Sequence, residues 1–399
     1  MPLAARSRRV LSLGIPFGAF TRDIWLICLS NVIGAFGEGL YFWVFPIYVR
    51  SLQADYVQLG LVFSALYGAS ALAPLPGGFL ADRFDRKKIL ILAWTPWVFA
   101  PLIYSFASNW VQLIPGTIFW GISMVGIPAM NTYIITSARD RTKLASVLAV
   151  VWSSYSFSYI FAPSVGAFLA TVIGMQWVLR VASVFCAIAT GVFLLLASQH
   201  PQREVAEIPS MGDHTPHRTD LWHKLLLWSA FYTVTTFFVT IGRTFVQTFL
   251  TEQVLLSEFY IGVFGSLNFA GITFIGLTMG RFGDRWRKSY ALGICALLYA
   301  SSMILIMFVR EPAFLMSAAF FYGGAVVIGS LVGSYVGGIA PARRRGVWVS
   351  IPQTLGLMAA FAAPYIGGYL YTQSPYNAFI VSIVPMPFLA LFAFLALKE

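Results

Sequence analysis

Twelve stretches of this chain are each long and apolar enough to cross a lipid bilayer, and this limits the fold more than any motif does. A span needs about 20 mainly apolar residues at 1.5 Å of rise per residue. On that criterion the runs fall at 24–49, 58–80, 89–107, 112–135, 144–172 and 177–198, then at 224–250, 258–280, 290–309, 312–336, 347–372 and 376–397. Hydrocarbon offers a backbone no hydrogen-bond partners, so such runs read as helices whose bonds close within the segment. The expected fold class is all-α integral membrane: twelve transmembrane helices forming two pseudo-symmetric six-helix lobes. Composition agrees, because only 10% of the 399 residues are charged and 58% are hydrophobic, against roughly 25% charged in soluble domains.

The net charge of +11 would suggest a nucleic-acid partner in a soluble protein. Here the cations lie in short loops between apolar runs, so no nucleic acid is expected and the partner is the bilayer itself. Alternate connections carry Arg83, Arg86, Lys87 and Lys88, then Arg139, Arg141 and Lys143, then Arg203, Arg218 and Lys224. Downstream come Arg281, Arg285, Arg287 and Lys288, then Arg343, Arg344 and Arg345. With Arg6, Arg8, Arg9, Arg22 and Lys398, this side holds 22 of the 26 cations, leaving Arg50, Arg180, Arg243 and Arg310 elsewhere. The positive-inside rule then places both termini and the linker in the cytoplasm of a multi-pass cell-membrane protein. The expected organisation is a cytoplasmic amino-terminal segment over 1–23, a lobe over 24–198, a linker over 199–222 and a lobe over 223–397. No removable signal peptide is apparent. Cys28, Cys186 and Cys295 fall inside apolar runs with no metal or disulfide spacing, and the linker histidines have none either. No metal or cofactor is expected.

The two halves repeat in parallel. Gly60 matches Gly262, Gly78 matches Gly280, Asp82-Arg83 matches Asp284-Arg285 and Lys143 matches Arg345, each at an offset of 202. Pro163-x-x-Gly166 matches Pro364-x-x-Gly367 at an offset of 201. Repeats related by an axis along the membrane normal point to a transporter with its site between the lobes.

At these residues the chain resembles the major facilitator superfamily. The family's loop between its second and third helices reads Gly-x-Leu-Ala-Asp-Arg-x-Gly-Arg-Lys, and this chain supplies Gly78, Leu80, Ala81, Asp82, Arg83, Arg86 and Lys87. Asp85 stands where the family prefers Gly, a change expected to be tolerated because Asp accepts unusual turn geometry. The resemblance implies a gating role for Asp82, Arg83 and Arg86, and for Asp284 and Arg285 in the weaker copy. It also implies that the first, fourth, seventh and tenth helices line the central cavity. Ala162-Pro163-Ser164-Val165-Gly166-Ala167 and Ala363-Pro364-Tyr365-Ile366-Gly367-Gly368 resemble the Gly-Pro-x-x-Gly-Gly motif of the family's drug–proton antiporters. The copy in the fifth run is degenerate.

Of fifteen acidic residues only Glu38 lies deep in a run, 14 residues from its start and 11 from its end. A carboxylate there must be paired, face water, or spend time protonated. Glu38 is therefore the candidate proton-coupling residue, against the alternative of a structural carboxylate held by hydrogen bonds. Arg243 is its deep counterpart of opposite sign, and three readings stay open: pairing with Glu38, binding a substrate anion, or reaching to the outer surface. Asn31, Tyr41, Trp43, Trp120, Asn131, Thr240, Gln247 and Tyr322 on the implied cavity helices, with Asn268 on the eighth, complete the candidate substrate-binding set. Tyr67 and Tyr155 are nearby candidates.

An aromatic cavity with few charges suits an amphiphilic organic solute. The reading is a monomeric secondary active transporter of such a solute, proton-coupled and directed outward. A proton symporter or facilitator for an organic anion anchored by Arg243 is the alternative, and a membrane sensor on a transporter scaffold the remote one. Nothing points to an enzyme: HExxH, paired intramembrane carboxylates and a GxxxxGK[ST] loop are all missing.

Overall fold

The computed structural model describes residues 17–140, 143–200, 218–341 and 345–397. The expectations placed on Arg6, Arg8, Arg9, Arg141, Arg343, Arg344, Lys398 and the linker from Pro201 to His217 lie outside the described residues. Among the described residues there are twelve membrane-length apolar helices. The first six are α1 Arg22–Phe42, α2 Tyr56–Arg83, α3 Arg86–Phe106, α4 Trp110–Ser137, α5 Ser146–Ile173 and α6 Met175–Leu195. The second six are α7 Leu221–Glu252, α8 Glu258–Arg285, α9 Lys288–Phe308, α10 Pro312–Ile339, α11 Val347–Gln373 and α12 Asn377–Leu395.

Each coincides with a predicted run, but several are broken where continuous helix was expected. The first run ends at Phe42 and resumes as Phe45–Ser51. The cause is Pro46: it supplies no N–H and its ring collides with the carbonyl four residues back, which is that of Phe42. The seventh run breaks at the equivalent place, between Arg243 and Val246. There Thr240 and Thr244 hydroxyls donate to the carbonyls of Thr236 and Thr240, side-chain bonds that compete with the helix ladder. The tenth run breaks at Gly323.

The packing repeats as the sequence does. In the first lobe α1 packs on α5, α3 on α6, and α4 on both α2 and α3; in the second, α7 packs on α11, α9 on α12, and α10 on both α8 and α9. The helices are apolar nearly all round, and residues such as Leu92, Phe106, Leu194 and Phe388 turn outward, as lipid-facing side chains do.

The lobes meet through two symmetric seams, α2 against α11 and α5 against α8. Both seams lie in the half of the molecule away from the basic loops. In the first, an added Cβ at Gly60 would sit 2.3 Å from the Pro364 carbonyl oxygen. In the second, Gly262 lies against Pro163, its added Cβ 2.6 Å from that carbonyl oxygen. Only glycine permits so close a backbone approach. The Pro and Gly residues that repeat along the sequence are thus the two sides of the seal. Ser164 and Ser266 hydroxyls lie 2.7 Å apart across the α5–α8 seam, and the Tyr159 ring packs on Phe269 at 4.4 Å. At the far end Arg50 pairs with Glu252 at 3.0 Å, and the Tyr56 hydroxyl donates to the same carboxylate at 2.7 Å. Arg50 and Glu252 are 202 residues apart, the repeat offset itself. They are repeat-mates of opposite charge that meet across the pseudo-twofold axis.

In a background free of the three buried native cysteines, Ser164→Cys with Ser266→Cys is expected to cross-link on mild oxidation, read by mass spectrometry of the joined peptides. Gly60→Leu, which cannot fit against Pro364, is expected to lower that yield several-fold. An unchanged yield would mean that the α2–α11 seam does not control closure.

Candidate functional site

Glu38 is 2% exposed and sits where α1, α4 and α5 converge. Its neighbours Gly37 and Gly39 let other helices approach: added Cβ atoms there would lie 2.5 Å from the Phe185 Cβ and 2.6 Å from the Ala162 Cβ. The carboxylate accepts one hydrogen bond on each oxygen. Trp120 Nε1 donates to Oε1 at 2.8 Å, and the Tyr155 hydroxyl donates to Oε2 at 2.7 Å. Tyr155 in turn lies 3.4 Å from the Tyr159 hydroxyl. Among the described residues no cation stands within ion-pair distance of Glu38. The group is bonded but its charge is not compensated.

Arg243 ends the first segment of α7 and makes no ion pair or hydrogen bond among the described residues, so the structure does not join it to Glu38. It lines a cavity between the lobes with Thr244, Gln247, Phe42, Trp43, Pro46, Phe63 and Tyr67. In this arrangement the cavity's free space is only about 30 Å³, so an organic solute enters only if the side chains that line it part. Tyr67 is the tyrosine that lines the cavity with Arg243. Gln247 Oε1 and the Tyr322 hydroxyl are buried without a partner. The Glu38 site and the cavity touch through one stack: cavity-lining Phe42 lies on Trp120, centroids 6.0 Å apart and planes 22° apart.

The remaining candidates divide. Trp43 and Gln247 face the cavity with Arg243, and Trp120 stands between it and Glu38. Trp43 reaches across the interface to Phe264, Phe269 and Tyr322. Asn31 donates to the Val151 carbonyl at 3.1 Å and Asn268 to the Ala319 carbonyl at 3.3 Å, tying helices together within each lobe. Asn131 accepts from Trp152 at 3.1 Å, Thr240 bonds its own helix, and Tyr41 packs against Phe45 and Tyr104 with its hydroxyl unpartnered. Phe42, Pro46, Phe63 and Thr244 line the cavity without having been singled out in the sequence.

On the basic face, Asp82, Arg83, Asp284 and Arg285 are exposed, and among the described residues none bonds to the opposite lobe. Arg83 lies over the Phe79 ring at 4.0 Å, and Asp284 is 3.9 Å from Lys288. Arg86 behaves differently. It is buried and donates to Thr136 Oγ1 at 3.3 Å in its own lobe and to Gln199 Oε1 at 3.0 Å, just past the end of that lobe. Asp85 corrects an expectation. Its φ of −57° is ordinary backbone, so no unusual turn geometry explains its presence. It caps α3, accepting from the Lys87 N–H at 3.1 Å and from the Gln199 N–H at 3.0 Å. Burial alone would push its carboxyl up, but the Gln199 and Lys87 backbone donors prevail and hold it below the usual carboxylate range.

A family model described as Major Facilitator Superfamily matches residues 27–250 and 232–399. Multidrug resistance protein 2 of Bacillus subtilis is 30% identical over 200 residues, covering 49% of this chain and 48% of that protein. A protein of Escherichia coli described as "Probable galactarate/D-glucarate transporter GarP" is 24% identical over 393 residues, covering 84% of each chain. The matches to the first two curated relatives span less than half of those proteins' length. A crystal structure of a variant of the nucleoside transporter NupG superposes with a TM-score of 0.76 at 14% identity, covering 94% of this chain and all of that one. At that identity the likeness is one of fold.

Asp85→Ala, losing two buried acceptor contacts, is expected to destabilise the protein by about 1 kcal/mol in detergent unfolding, whereas Asp82→Ala changes little. A carboxylate held low stabilises the fold above its unfolded-state value and loses that contribution as pH falls through its folded value. The Asp85→Ala deficit should therefore shrink below about pH 4. Equal effects of the two substitutions at neutral pH would contradict the capping role.

Proposed function

The chain belongs to the major facilitator superfamily, and from that membership we propose that it is a proton-coupled secondary active transporter moving a small amphiphilic organic solute outward by alternating access. The solute occupies the cavity between the lobes, and Glu38 carries the proton. The observation behind this reading is the buried carboxylate held by Trp120 and Tyr155 with no cation beside it among the described residues. Such a group is stable either as an anion on two neutral donors or as a neutral acid after proton uptake. A proton on Oε2 donates to Tyr155, whose hydroxyl turns from donor to acceptor while Oε1 still accepts from Trp120. A proton on Oε1 would meet the Trp120 N–H, which cannot accept, and displace it. Trp120 carries that change to Phe42 on the cavity wall.

With the cation-rich loops in the cytoplasm of a cell-membrane protein, the sealed half faces outward and the described arrangement is inward-facing. Asp82, Arg83, Asp284 and Arg285 are then free to latch the lobes when the cytoplasmic side closes. Arg86 and Asp85 hold the loop on its own lobe so that the latch has a fixed base. The outward direction is supported by the degenerate Gly-Pro-type motif in α5 and by the relative whose name is a multidrug resistance protein. The name of GarP points to another substrate class, so the relatives do not agree on the solute.

Purified protein should release or take up protons when members of a chemically diverse ligand panel are added, with the response lost in Glu38→Gln. Trp120→Phe, which keeps the ring and removes the donor, should leave ligand binding in place and shift the pH at which the response is half-complete. Equal binding by wild type and Glu38→Gln with no proton exchange in either would remove Glu38 from the coupling step.

A further inference from the structure

We infer that the interlobe cavity takes an organic anion with a flat apolar body, its carboxylate, sulfonate or phosphate seated on Arg243. The inference rests on the reading that this cavity is the transport site, and it names the chemical class of solute. Arg243 offers five N–H donors in a rigid fork and finds no acceptor bond among the described residues. It lies nine residues from the end of a membrane-spanning helix, too deep for its charge to be carried for topology alone. The aromatic groups around it are neutral and cannot balance it. One unit of negative charge is missing from the cavity as it stands, and a bound anion supplies it through a two-pronged charge-assisted contact.

The rest of the wall fixes the other parts of the ligand. Four residues on, past the break in α7, Gln247 presents a buried carbonyl oxygen with no donor, so a hydroxyl or N–H near the anionic group gains a bond there. Phe42, Phe63 and Tyr67 face these polar groups from the other lobe, with Trp43 beside them. That wall suits a planar ring and offers no carboxylate for an amine. A cationic solute would meet Arg243 directly and be repelled. Because Arg243 and Gln247 belong to the second lobe and the aromatic wall to the first, the ligand bridges the two bodies that must move.

Four probes sharing one ring decide the matter: 2-naphthoate, 2-naphthalenesulfonate, 2-naphthamide and 2-naphthylmethylamine, titrated calorimetrically into the purified full chain. The two anions are expected to bind about 10-fold or more tighter than the amide, and the amine weakest. Arg243→Met should abolish the preference. Arg243→Lys, which keeps the charge and loses the fork, should retain the ranking at lower affinity, and keeps the question open to test if the Met variant does not fold. Gln247→Leu should weaken only ligands with a donor beside the anionic group, such as 3-hydroxy-2-naphthoate. Equal or tighter binding of the amide or amine to wild type, anion affinity indifferent to both Arg243 variants, or no binding of either anion would overturn the proposal. Flux of the amine into proteoliposomes without anion binding would overturn the anion site and leave transport standing. Anion binding with no flux of any probe would do the reverse.

Discussion

A carboxylate cannot lie bare in hydrocarbon, and the first lobe is built around that constraint. Placing Glu38 deep in the first membrane run, Arg22–Phe42 continued by Phe45–Ser51, costs at least about 2.5 kcal/mol unless something satisfies it. The satisfaction comes from α4 and α5, which must be close enough to bring Trp120 and Tyr155 within 2.8 Å. Gly39 lets α5 approach and Gly37, on the other side of the acid, lets α6 approach. Both donors are neutral, so the arrangement satisfies hydrogen bonds without compensating charge. A salt bridge would have held the group ionised; two dissociable contacts leave it able to exchange a proton.

The interface between the lobes is made of the same economy of small residues. Gly60 on the Pro364 carbonyl and Gly262 on the Pro163 carbonyl are one contact used twice, related by the internal repeat. The repeat also explains the Arg50–Glu252 ion pair across the interface, since the two occupy equivalent positions and can meet only near the symmetry axis. All of these contacts lie on the side away from the basic loops. The half bearing Asp82 and Asp284 carries none, among the described residues, between the lobes. A rigid seal on one side and free charged loops on the other is an arrangement that can exchange for its opposite.

Much of the fold was legible because hydrophobic run length is a strong constraint: all twelve helices appear within a few residues of where apolar stretches predict them. Glu38 was legible for the same reason, as the one deep carboxylate. Its partners were less so. Trp120 and Tyr155 were visible as aromatic residues on neighbouring runs, but sequence order does not say that three helices converge on one carboxylate. The cavity lining was the least legible part. Helices that are apolar all round carry no periodic stripe to show which face looks inward, so Asn31 and Asn268 read as cavity residues while they tie helices together. Phe42 and Phe63 line the cavity, and nothing in the sequence singled them out. Two signals could have been used further. Pro46 marks the break after Phe42 through its collision with the carbonyl four residues back, and the offset of 202 already paired Arg50 with Glu252.

If Glu38 carries the coupling proton as proposed, its protonation state sets the arrangement of the lobes. The most direct measurement is the distance between spin labels at Phe84 and Trp286, exposed positions in the equivalent loops of the two lobes, recorded across a pH series. In the wild type the populations of short and long distances should exchange as pH changes. In Glu38→Gln they should be fixed at all pH values. A wild type whose distances ignore pH, or a Glu38→Gln variant that shifts as the wild type does, would contradict the account.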